Sequence, residues 1–108
     1  MRRLLIILAL LSVVAAIGAS LAFARSRSVT VRDNAFSART LKIKKGDKVT
    51  WRWSGTANRH NVTAVKGGRF HSKTMKKGGY SHTFRKRGTY TIVCTIHLTV
   101  MRLKVKVL

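Results

Sequence analysis

Cys94, His97 and Met101 fall within eight residues, CTIHLTVM, and Cys94 is the only cysteine of the 108-residue chain. A lone cysteine has no partner for an intramolecular disulfide, so packing or a bound ligand must reinforce the fold. A further histidine, His60, opens a run in which Val62 and Ala64 share its strand phase. Together the four side chains offer a thiolate, two imidazoles and a thioether. Thiolate and thioether favour Cu(I) and imidazole accommodates Cu(II), so a His₂Cys plane with a weak axial methionine suits a copper ion that gains and loses one electron. A thiolate held by metal and screened from solvent is also guarded against oxidation and intermolecular disulfides.

Three other readings compete for Cys94. It could be a small buried hydrophobe. It could be a nucleophile with His97 as base, but that needs an orienting third group, and the only acids, Asp33 and Asp47, fall near other turns. It could belong to a zinc site, but these draw on paired cysteines or more histidines. The full donor set favours copper. His71 and His82 stand outside it, and His82 shares its phase with Tyr80 and Phe84, as a packed or rim histidine would.

The elements that must position these donors read as strands. Val29 and Val31, Leu41 and Ile43, Val49, Trp51 and Trp53, Tyr90 and Ile92, and Leu103, Val105 and Val107 each alternate with polar residues, and after residue 24 no stretch repeats apolar residues at helical spacing for three turns. The fold class is therefore all-β, a sandwich or barrel. Residues two apart share a face, so Cys94 points inward with Tyr90 and Ile92, and Met101 with Leu103, Val105 and Val107. A hairpin joining those strands brings Cys94 and Met101 together with His97 in the bend; His60 must arrive by long-range pairing. Gly46, Gly55, Gly67-Gly68, Gly78-Gly79 and Gly88 are expected at hairpin turns. Residues 66–80 are expected to form a long connection with at most a short strand around Phe70–Met75. The aromatic residues Trp51, Trp53, Phe36, Phe70, Phe84 and Tyr90 read as core.

The chain opens with two arginines, an apolar run and Ala22-Phe23-Ala24, the order of a secretory signal. Residues 1–24 are thus expected to be a cleaved signal or a retained anchor, since Leu4–Ala24 carries no charge and is long enough to span a bilayer. Residues 25–108 are expected to form one domain, exported to a periplasmic or extracellular location. The formal charge is +21, from 23 Lys and Arg against two acids. Such a balance favours acidic partners or anionic membrane and cell-wall surfaces; in an exported chain it does not point to nucleic acid. The cations are spread rather than gathered into one arm, so a uniformly charged, soluble surface is the plainer reading.

The stretch Val29–Leu108 resembles the cupredoxins of the plastocyanin and azurin type. The likeness is carried by V-x-V-x-D-N-x-F, K-K-G-D-K-V-T-W, R-H-N-V-T, H-T-F-x-x-x-G-T-Y and C-T-I-H-x-x-x-M. The resemblance implies a Greek-key β-sandwich with one copper at one end, held by His60, Cys94, His97 and Met101. It implies that Asn61 and Thr95 tie the two ligand loops together. It also implies a monomeric, non-enzymatic carrier of single electrons between redox proteins, with the His97 edge exposed in an apolar patch supplied by Leu98 and Val100. A copper-delivery module and a cationic envelope-binding sandwich with a lapsed site are the alternatives. Leu98 stands where many relatives have proline, and Arg102-Leu103 where they have glycine.

Overall fold

Alternating burial builds each strand from its sequence. A computed structural model describes residues 24–108; the expected signal or anchor segment lies outside the described residues, Ala24 apart. Eight strands follow in order: β1 (Ser26–Arg32), β2 (Ala35–Phe36), β3 (Thr40–Ile43), β4 (Lys48–Trp53), β5 (Thr63–Lys66), β6 (Gly78–Thr83), β7 (Gly88–Val93) and β8 (Arg102–Val107). They form two four-stranded sheets, β2-β1-β4-β6 and β3-β8-β7-β5. The inward residues of β1, β4, β7 and β8 meet in one core between the sheets, with Val31, Val49, Trp51, Ile92 and Val105 fully buried. Phe84 is also fully buried; Trp51 packs on it tilted, with ring centres 6.4 Å apart, and Tyr90 edge to face at 5.0 Å. Among the described residues no helix is long and apolar enough to cross a membrane.

Both sheets mix parallel and antiparallel pairs. Strand β1 runs parallel to β4 and β3 parallel to β8, while β4–β6, β5–β7 and β7–β8 are antiparallel. This corrects the expectation for the turns. The Gly46, Gly55 and Gly88 turns carry the chain from one sheet to the other instead of closing hairpins, and Gly78-Gly79 opens β6 against Trp53 and Arg52. At Gly78 the strand has φ of 121°, a conformation open to glycine, and this permits a Gly-Gly start that reads as a turn in sequence. The connection before β6 forms isolated bridges, Thr63–His71 and His60–Met75, rather than a strand over Phe70–Met75. A tight β1–β2 hairpin turns through Asp33 and Asn34, with Asn34 left-handed at φ 64°, as asparagine tolerates. Half-buried His82 stacks on Phe70 with ring centres 3.7 Å apart.

Candidate metal centre

The β7–β8 hairpin supplies three of the four candidate donors. Cys94 N donates to Met101 O (3.1 Å), closing the loop between them. Inside it His97 N donates to Cys94 O (3.1 Å), and Val100 N and Met101 N donate to His97 O (3.2 and 3.0 Å). Consecutive tight turns thus hold His97 between the two sulfur residues. Cys94 and Met101 are wholly buried, continuing the dry faces of β7 and β8. His60 arrives from the other loop, its backbone bridged to Met75 by two hydrogen bonds of 3.0 Å and its carbonyl accepting from Trp53 Nε1 at 3.2 Å. It too is fully buried.

Asn61 joins the two loops. Its Nδ2 donates to Thr95 Oγ1 (2.8 Å) and Thr74 Oγ1 (3.1 Å), and its Oδ1 accepts from Thr95 N (3.0 Å) and Thr63 Oγ1 (2.9 Å). Its backbone N–H points at Cys94 Sγ from 3.5 Å. The side chain is 5% exposed with both ends of its amide used, so the segments around residues 61 and 95 are held in one register.

A residue that sequence reasoning set aside completes this arrangement. Asp33, in the β1–β2 turn, accepts from His60 Nε2 at 2.7 Å and from the amides of Ala57 (2.9 Å) and Asn58 (3.1 Å). Those bonds, the His60 one foremost, lower its pKa from 3.8 to about 2. An ionised carboxylate only accepts, so Nε2 of His60 is the donor in this contact, and in the neutral imidazole the lone pair falls on Nδ1. That nitrogen stands 4.0 Å from Cys94 Sγ. The signal available in sequence was scarcity: Asp33 is one of two acids in the chain.

The sequence profile of copper binding proteins of the plastocyanin/azurin family matches residues 24–108. The chain belongs to the plastocyanin/azurin family. An amicyanin variant in oxidized form shares 34% sequence identity, over 77% of this chain and 82% of that one, with a TM-score of 0.66. A purple cupredoxin from Nitrosopumilus maritimus, 20% identical over 76% of this chain and 99% of that one, shares the fold at a TM-score of 0.67. A copper-containing nitrite reductase from Thermus scotoductus SA-01 does so at 0.65 and 21% identity, with the match spanning 77% of this chain and only 22% of that longer one. Among curated protein sequences none matches. Copper is accordingly the cofactor of this plastocyanin/azurin-type domain, one ion per chain.

The donor chemistry fits copper. His60 Nδ1 and Cys94 Sγ stand 4.0 Å apart, close enough for one ion to touch both. The His97 ring centre lies 5.2 Å from that of His60, and its Nε2 is buried without a hydrogen-bond partner, as a nitrogen facing a metal rather than water would be. The set is not a finished cage: among the described residues no three His, Cys, Asp or Glu side chains stand arranged to hold an ion, and the Met101 thioether lies outside that donor class. Around half-buried His97, Ile96, Leu98 and Val100 are 53%, 51% and 62% exposed. Leu98 and Val100 thus lie where the family likeness puts an apolar patch, and Ile96 adds to it. Beside Val100 a groove of about 720 Å³ runs between β2 and β8, with Arg39, Arg102 and Lys104 on its walls.

Proposed function

We propose that this domain carries single electrons between redox proteins outside the cytoplasmic membrane, with His60, Cys94, His97 and Met101 holding its copper. The observation that carries the reading is the buried Cys94 thiol, faced at once by the Asn61 amide at 3.5 Å and by His60 Nδ1 at 4.0 Å. Bound copper supplies one-electron exchange between Cu(II) and Cu(I). The protein's part is to hold the two donor loops in one register, so that little beyond the donors themselves rearranges when the charge changes. Asn61 and Thr95 hold the loops, and the buried sulfur residues exclude water.

The apolar rim of Ile96, Leu98 and Val100 supports His97 as the place where the electron enters and leaves, because a partner can lie flat on it without stripping water from charges. The basic groove walls and the +21 charge support partners with acidic docking surfaces, steered by long-range attraction. The reading includes a monomeric, non-enzymatic carrier and a periplasmic or extracellular location, the latter supported by the signal-like order of residues 1–24.

Copper reconstitution tests this. The expected result is an intense visible thiolate-to-copper absorption band that Cys94→Ser abolishes, with a fall in melting temperature only in the copper-loaded form. A colourless protein that binds only Cu(I) would instead indicate copper delivery. No copper binding would sink both readings.

A further inference from the structure

With 23 lysines and arginines in the chain, an acid would be expected to sit against one of them. Among the described residues the one acid–base contact within 4 Å is instead between Asp33 and the fully buried His60. The carboxylate is itself immobilised: the amides of Ala57 and Asn58 donate to its two oxygens, and Oδ1 accepts from His60 Nε2 in addition. It therefore sets both the rotation of the imidazole and the nitrogen that carries hydrogen, and it aims Nδ1 at Cys94. A carboxylate on the outer nitrogen also makes the inner one a stronger donor. Its negative charge favours the more positive ion, Cu(II), over Cu(I), and so opposes the pull of the surrounding cations toward the reduced state.

We infer that Asp33 is a positioning residue for copper, which locks His60 with Nδ1 toward the metal and holds the reduction potential down. This rests on the reading of His60 as a ligand. It predicts that the potential is tuned from the β1–β2 turn, 27 residues before the histidine it acts through.

The test uses Asp33→Asn, Asp33→Glu and His60→Ala, compared with the unmodified protein for copper affinity by chelator competition, reduction potential and visible spectrum. Asp33→Asn is expected to lose about 10–100-fold in Cu(II) affinity and less in Cu(I) affinity. For a one-electron couple each tenfold difference raises the potential by about 59 mV. Asp33→Glu, which keeps the charge, is expected to recover most of both. A clamp that only holds the turn at residues 57–58 would lower the melting temperature of Asp33→Asn while leaving the potential and the Cu(II)/Cu(I) affinity ratio unchanged, and that outcome overturns the inference. His60→Ala separates the two levels: retention of the copper band would remove the ligand reading itself, whereas loss of the band beside a silent Asp33→Asn removes only the role of Asp33. Nitrogen chemical shifts of His60 in the metal-free protein serve where a variant does not fold. An Nε2–H tautomer supports the assignment and an Nδ1–H tautomer overturns it.

Discussion

Replacing Asn61 by alanine removes the side chain that ties the two donor loops together, and the structure sets the size of the effect. Four side-chain hydrogen bonds disappear: two to Thr95, one to Thr74 and one from Thr63. At about 0.5–1.5 kcal/mol net for each, the loss lies between about 2 and 6 kcal/mol. The threonine hydroxyls are part-buried and can turn to water, whereas the Thr95 amide cannot move, so we expect the low end, about 2–3 kcal/mol. For a domain of this size 1 kcal/mol moves the melting temperature by about 4–8 °C, which gives a fall of about 8–24 °C. Thermal unfolding of the metal-free protein, followed by circular dichroism in the presence of a chelator, measures it. Thr95→Ala keeps the amide bond and loses only Oγ1, so it should cost about 0.5–1.5 kcal/mol, and the double variant should lose less than the two single losses together, because they share a bond. A fall of less than about 4 °C in Asn61→Ala, or strict additivity with Thr95→Ala, would show that the hydrogen bonds between the loops do not hold them.

Met101 is fully buried among Leu103, Ile92 and their neighbours, so Met101→Ala should cost the metal-free protein about 2–5 kcal/mol, and the similarly sized Met101→Leu less than about 1.5 kcal/mol. Both should shift the reduction potential of the copper-loaded form, which a weak axial donor tunes; a wild-type potential in Met101→Leu excludes the thioether as a donor. Acid should destabilise the metal-free protein in two stages. Burial against Phe70 lowers the pKa of His82 below 6.5, so its contribution is present above that value and is lost as protonation is forced at lower pH. Asp33, lowered to about 2 by its bond to His60 and the two amides, contributes stability that is complete above about pH 4 and lost as the pH falls toward about 2; Asp47, lowered by the amides of Arg25 and Lys44, adds a loss of the same sign below the ordinary carboxylate range. A melting temperature that is flat between pH 4 and 2 refutes the carboxylate part.

Strand phase was legible because each inward residue faces a single dry layer. Val29 and Val31, Val49, Trp51 and Trp53, Tyr90 and Ile92, and Leu103, Val105 and Val107 are all buried where alternation puts them. The same phase places Cys94 and Met101 in the core. What alternation does not carry is which strand a turn leads to. Gly46 and Gly88 have the composition of hairpin turns and nevertheless cross between sheets, because a glycine reports that the chain bends and not where it goes. Gly78-Gly79 misleads for a related reason: two residues without side chains look like a turn but also fit a strand lying close to Trp51 O and Met75 Sδ. The role of Asp33 was hidden by distance in sequence. Its contact with His60 exists only once the β1–β2 turn lies over the loop between β4 and β5, and no local pattern records that juxtaposition.

That the one acid–base contact among the described residues is made to His60 leaves the described lysines and arginines without an ion-pair partner. The folded surface is a polycation under self-repulsion, and closing the sandwich brings those charges nearer to one another than they are in the unfolded chain. Dissolved salt, which ordinarily weakens attractive surface ion pairs, here has chiefly repulsion to screen over its Debye length of about 10 Å at 0.1 M. Rising ionic strength therefore tightens this fold while loosening its hold on acidic partners. The conditions under which the carrier is most durable are those under which it lets go most readily.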